Sequence, residues 1–328
     1  MRIALKRRSR KWTVSFLTRG GVITGLLLVV MNVGYLAAQA MREDPNDLVR
    51  NAVAGNLASF MAWRESSLLP SFAIAIAAFI VIALAHFFTF GPKDYSAKGE
   101  ADLIPWYTLW ERIIHAIVLI AFIVLMISGL MVTYGKFFGG GSLTLLLRQL
   151  HEMAGFVYTP AIIIMVLMWL KDALPAGYDM DWFLHAGGYL GYKGDLKSGR
   201  FNAGQKFWFW VIVVTAVVHI WTGLTLFYQS GGAPMPGGAW ASNGPFVPNL
   251  YEQANALRYM RLYTMLHLIA TIPMVLMFIV HVYMSALGAR GAIGAMINGK
   301  FSRTAALKFH SEASALKQVK AAPASDDD

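Results

Sequence analysis

The chain carries eight histidines, His86, His115, His151, His185, His219, His267, His281 and His310, and no cysteine. Without thiol sulfur it cannot form disulfides, thiolate zinc sites, iron–sulfur clusters or covalently attached c-type haem, so imidazole is the main soft ligand it offers. His267 and His281 stand 14 residues apart within one uncharged apolar run. On a helix that spacing falls within about 40° of whole turns, so both rings project from one face, about 21 Å apart along the axis. Neutral imidazoles placed that way can coordinate iron or relay protons at two different depths. What they do depends on what faces them.

The composition says where those helices lie. Of 328 residues, 57% are hydrophobic and only 14% charged, more apolar surface than one water-soluble globule can bury. That excludes an ordinary cytosolic enzyme, a disordered chain and a nucleic-acid module. Six apolar stretches are long enough to cross a bilayer, near residues 16–40, 68–90, 108–134, 148–171, 206–229 and 259–288. The net charge of +10 comes from Lys and Arg beside these runs, where they set topology rather than bind nucleic acid. The first stretch follows a basic leader (Lys6, Arg7, Arg8, Arg10, Lys11) and ends in Ala38-Gln39-Ala40, so residues 1–40 read as a signal peptide or a first anchor. Either reading starts the chain in the cytoplasm. With that orientation, 21 of the 28 Lys and Arg residues fall on the inner side. Trp106, Trp110, Trp208, Trp210 and Trp240 stand at span ends as interfacial anchors. The segment Ser230–Asn255 reads as an irregular outer loop, and the tail ending in Asp326, Asp327 and Asp328 as mobile.

Depth then pairs the histidines. The last span runs outward to inward, so His267 lies towards the outer leaflet and His281 towards the inner. His115 sits early in a span that starts inside, and His151 early in one that starts outside. The pairs His115 with His281 and His151 with His267 each supply two axial nitrogens to a haem b iron held between helices. Gly129 and Gly155 lie on the same helix faces as His115 and His151, where a missing side chain leaves room for a flat macrocycle. Arg112, one turn before His115, is placed to pair with a haem propionate. Helix packing alone also favours such glycines, and a single intramembrane histidine more often makes a polar contact than binds a metal. His86 and His219 find no such partner; His219 hydrogen-bonds or lines a polar path, and His185 and His310 read as surface residues.

On the inner side, Asn202-Ala203-Gly204-Gln205-Lys206 opens a helix that continues Phe207-Trp208-Phe209-Trp210. Its amides either cap the helix above an aromatic belt or donate to a quinone carbonyl. In the second case Gly204 lets the ring approach the backbone, at the depth of His281.

Over about residues 105–310 the chain resembles the cytochrome b (gamma) subunit of membrane-bound respiratory formate dehydrogenase. The resemblance is carried by Glu111-Arg112-Ile113-Ile114-His115, Leu150-His151-Glu152-Met153-Ala154-Gly155, Phe201-Asn202-Ala203-Gly204-Gln205-Lys206, His267, His281-Val282-Tyr283-Met284, and Gly291-Ala292-Ile293-Gly294-Ala295-Met296-Ile297-Asn298-Gly299-Lys300. It implies an all-α integral membrane protein: a four-helix transmembrane bundle with two haem b groups on His115, His151, His267 and His281, plus two N-terminal hydrophobic helices. The division would be 1–40, 41–104 (outer loop and additional helix), 105–290 (di-haem bundle) and 291–328 (cytoplasmic tail). The resemblance further implies a quinone site, for ubiquinone or menaquinone, at Asn202, Gly204 and Gln205 close to His281. It implies an iron–sulfur (beta) subunit and a molybdenum or tungsten pterin catalytic (alpha) subunit as partners, a place in the bacterial inner membrane, and room for a higher oligomer. The chain itself would hold no formate-oxidising site. Its departure is the N-terminus, where the two extra apolar segments and the loop from Met41 to Pro70 lack counterparts in shorter members. A related di-haem subunit of a hydrogenase or thiosulfate reductase, and a haem-free scaffold or transporter with proton-relaying histidines, are the rival readings.

Overall fold

A computed structural model of the chain describes residues 57–135, 141–229, 253–313 and 316. The first apolar stretch, its cleavage pattern, residues 230–252 of the expected Ser230–Asn255 loop and the acidic tail lie outside them; residues 253–255, expected in that loop, already belong to a helix. Among the described residues, five helical spans are long and apolar enough to cross a membrane, so the fold is an all-α, multi-pass membrane architecture. A helix satisfies its own backbone groups, which hydrocarbon cannot do for it. Outward-facing side chains are accordingly apolar: Val81, Ile120, Leu167 and Val217 are each more than 60% exposed.

The first span joins α1 (Leu57–Trp63) through a π-helical turn at Arg64–Leu68 to α2 (Leu69–Phe90). It therefore starts earlier than the apolar run from residue 68 suggests. Pro70 falls just after the π-turn inside this continuous span, where its missing N–H removes one intrahelical bond. Next come α3 (Leu109–Thr133) and α4 (Gly141–Trp169), the short α5 (Asp179–Leu184), then α6 (Ala203–Gln229) and α7 (Gln253–Tyr283), which runs on as a π-turn to Gly288. A reciprocal capping box starts α3: Thr108 Oγ1 accepts from Glu111 N at 3.3 Å, and Glu111 Oε2 accepts from Thr108 N at 2.8 Å. The helices α3 and α4 pair, as do α6 and α7, while α2 lies against α7. Ile114, Val118, Ile162, Met165, Phe209 and Met274 fill the space between the pairs.

At the end where α3 and α6 begin, the chain builds a cap. Strand β1 (Lys93–Asp94) runs parallel to β3 (Ala289–Arg290), and β2 (Leu103–Pro105) antiparallel to β4 (Lys300–Ser302), with Ile104 opposite Phe301. The helices α8 (Gly294–Asn298) and α9 (Arg303–Phe309) complete it around Tyr95, Trp106, Phe301 and Ala306. The cap joins segments from both sides of the expected boundaries at residues 104 and 291. Residues 289–302 pair with residues 93–105, and the chain on to 313 packs against them, burying apolar surface that neither segment could cover alone. His310 is no surface residue: it is 4% exposed, and its Nδ1 meets the Gly199 carbonyl at 2.9 Å. Trp106, expected at the lipid interface, is buried in the same cap. This is the capped end; the other is the far end.

Candidate functional site

The helix directions place four histidines in two pairs. At the far end His151 on α4 faces His267 on α7, ring centres 6.2 Å apart; at the capped end His115 on α3 faces His281 on α7, centres 6.3 Å apart. A metal–imidazole bond is about 2 Å and a ring nitrogen lies about 1 Å from its ring centre, so two imidazoles flanking one metal ion have centres roughly 6 Å apart. Both pairs meet that spacing.

The far-end pair borders a cavity of about 460 Å³ between α2, α3, α4, α6 and α7. An added Cβ at Gly155 would meet nothing within 4 Å, whereas at Gly129 it would lie 3.0 Å from His151 Cε1. Gly155 thus leaves open space, and Gly129 makes room for the imidazole itself. Tyr158 lines the same cavity, and its buried hydroxyl has no hydrogen-bond partner among the described residues. An open apolar slot, an orphaned hydroxyl and two facing imidazoles fit a b-type haem. Arg148, paired with Glu152 at 2.9 Å, is the one Lys or Arg among the described residues lining the cavity. Arg112, expected at a propionate, gives its Nε to Met296 O at 3.0 Å and an Nη to Ile297 O. It ties α3 to the cap, and a propionate would have to share what remains.

At the capped end the rings rest on indoles. His281 stacks on Trp208 at 5.6 Å and 24°, and His115 lies 5.8 Å from Trp169. Trp208 is one turn beyond the start of α6, where Asn202 and Gln205 cap the helix reciprocally. Asn202 N donates to Gln205 Oε1, and Gln205 N to Asn202 Oδ1, both at 2.9 Å. These bonds engage the two amide oxygens and leave both NH₂ groups as donors. Gly204 admits Trp182, which an added Cβ would meet at 2.8 Å. Nearby, Arg200 joins Glu111 at 2.7 Å, Asp172 at 2.9 Å and the Trp106 carbonyl at 2.7 Å, clamping α3, α4 and the cap.

The remaining histidines are accounted for. His86 bridges α2 to the bundle through Tyr283 Oη at 2.5 Å and Tyr189 O at 3.0 Å. His219 contacts Thr271 Oγ1 at 3.1 Å and lies 4.8 Å from the His267 ring. His185 caps its own turn beside Asp181. Sequence reasoning missed Ser128 and Thr222, which hydrogen-bond the far-end imidazoles, and Gly223, where an added Cβ would lie 3.6 Å from His267 Cε1. Their signal, a hydroxyl followed by glycine on two helices, is visible only once the facing helices are known.

A helical bundle with depth-separated histidine pairs is the architecture of a membrane cytochrome b, and residues 106–299 match the family described as prokaryotic cytochrome b561. The chain belongs to that family. It is 27% identical over 215 residues to the formate dehydrogenase cytochrome b556(fdo) subunit of Escherichia coli K12, an alignment covering 64% of this chain and 90% of the relative. To the nitrate-inducible formate dehydrogenase cytochrome b556(Fdn) subunit of the same strain it is 28% identical over 167 residues, covering 50% of this chain and 66% of that one.

Proposed function

We propose that this chain is the di-haem b membrane subunit of a formate dehydrogenase, carrying electrons across the bacterial inner membrane to quinone. The observation that carries the reading is the meeting of four imidazoles two by two at the spacing a shared metal requires, the pairs about 21 Å apart along α7 by helix rise. The relatives, both named as formate dehydrogenase subunits, supply the donor. The basic excess at the capped end supports a cytoplasmic position for that end, and for both termini if residues 1–40 persist. The far end then meets an iron–sulfur partner that passes on electrons from a molybdenum or tungsten pterin subunit.

When bound, each haem supplies a one-electron centre. The chain's own residues do the rest. His151 with His267, and His115 with His281, hold and orient the two groups; Arg148 offers charge to a propionate at the far end. Asn202 and Gln205 present amide donors to a quinone carbonyl at the capped end, with Gly204 beside them and Trp208 bridging towards His281. Quinone takes its protons from the cytoplasmic side, so electron transfer across the membrane separates charge.

The test is a reduced-minus-oxidised spectrum of the complex in membranes, with formate and with hydrogen as donor. Wild type should show two b-type components reducible by formate. His151→Ala should lose one and His115→Ala the other. Retention of both components in either variant would rule out the ligand assignment, and reduction by hydrogen alone would rule out the donor.

A further inference from the structure

The hydrogen bonds around the two pairs differ in kind. Ser128 Oγ lies 2.5 Å from the Val124 carbonyl, and since a carbonyl cannot donate, the single hydroxyl hydrogen sits between them. Towards His151 Nδ1, 3.1 Å away, Ser128 can therefore only accept. Nδ1 then carries the ring proton, and Nε2 keeps a bare lone pair. Thr222 repeats the arrangement on α6: its hydrogen goes to Val218 O at 2.7 Å, and it accepts from His267 Nδ1 at 2.8 Å.

Each hydroxyl is followed by a glycine facing the same ring. An added Cβ at Gly129 would lie 3.0 Å from His151 Cε1, and one at Gly223 would lie 3.6 Å from His267 Cε1. Ser128 and Thr222 stand at the same offset from the first residues of their helices, Leu109 and Ala203, which both start at the capped end. The two hydroxyl–glycine pairs thus reach the same depth on two helices. The capped-end pair has no counterpart: among the described residues the rings of His115 and His281 make no side-chain hydrogen bond, and indoles flank them.

We propose that Ser128–Gly129 and Thr222–Gly223 are positioning pairs that hold His151 and His267 in the Nδ1-protonated tautomer, and thereby poise the far-end haem at a lower potential than the capped-end haem. The inference rests on haem ligation by these histidines. An imidazole whose Nδ1–H donates to a buried acceptor is a stronger donor to its metal, which favours ferric iron. Rings without that bond donate less, and the group they hold is reduced more easily. The asymmetry makes transfer from the far end to the capped end run downhill.

A potentiometric titration of haem absorbance in the membrane complex tests this with Thr222→Val, Ser128→Ala and Thr222→Ser. Wild type should resolve a lower and a higher b-type component. The lower one should move up in Thr222→Val and Ser128→Ala while the higher stays, and Thr222→Ser should keep the wild-type value because its hydroxyl persists. An unmoved lower component overturns the inference. So does a shift in Thr222→Ser as large as that in Thr222→Val, which would make the effect one of packing. Wild type without any b-type absorption overturns the haem reading itself, so the two failures are told apart.

Discussion

Three glycines near the far-end histidines meet different surroundings, and alanine at each should have a different effect. At Gly129 the new methyl would press on His151 Cε1 at 3.0 Å and Nδ1 at 3.3 Å, a contact that only displacement of the ring relieves. At Gly223 the methyl would make ordinary contact with His267 at 3.6 Å. At Gly155 it would project into the open cavity without touching either imidazole. Gly129→Ala should therefore weaken far-end haem retention about tenfold or more, as loss of ligand orientation does, whereas Gly223→Ala should retain it. Gly155→Ala discriminates further, because it disturbs nothing unless a macrocycle fills the cavity. Haem per protein after purification reads all three. Equal retention in Gly129→Ala and Gly223→Ala would mean that the ring has freedom these distances do not allow it. Full retention in Gly155→Ala would place the macrocycle elsewhere.

The start of α6 serves two purposes that one substitution can separate. Gln205 accepts from Asn202 N through Oε1 and keeps its NH₂ free. Gln205→Glu preserves an acceptor for the cap and adds favourable charge at a helix N-terminus, but removes the donor. Its melting temperature should match wild type while quinone reduction falls, and Gln205→Ala should lose both, at a stability cost of about 1 kcal/mol. Undiminished quinone turnover in the Glu variant would leave the motif a cap and nothing more. The elements also show what the sequence can and cannot say. The helices and the histidine pairing were legible, because apolar length and a 14-residue same-face spacing are properties of one helix at a time. The partners Ser128 and Thr222 were not, because a membrane-helix hydroxyl usually bonds its own preceding turn, as both do. Only the facing helix reveals the second bond. The same holds for Phe72 of α2, which lines the far-end cavity from outside the matched family region.

Across the whole molecule, the capped end is held by segments nearly 200 residues apart, which is why two- and three-residue strands escaped the sequence. Trp106 and Tyr107 donate to the Gly299 carbonyl, Ser302 and Thr304 donate to Asp102, and His310 closes on Gly199. The cap thereby fixes the start of α3 and the end of α7, the elements that carry His115 and His281. Within it, burial pushes His310 down to about 4 from its ordinary 6.5; the nearby Lys93 charge pushes the same way, and the bond to Gly199 opposes. Above pH 6.5 the ring is neutral whether the cap is folded or not, and its stability is complete. Between pH 6.5 and about 4 the unfolded chain takes up a proton that the folded cap refuses, so stability falls as pH falls, by at most about 3 kcal/mol. His310→Gln cannot titrate there and keeps a side-chain donor for Gly199. Thermal melts at pH 7.5 and pH 5 should show wild type losing more on acidification than His310→Gln. Equal losses would assign the acid sensitivity to groups outside the cap.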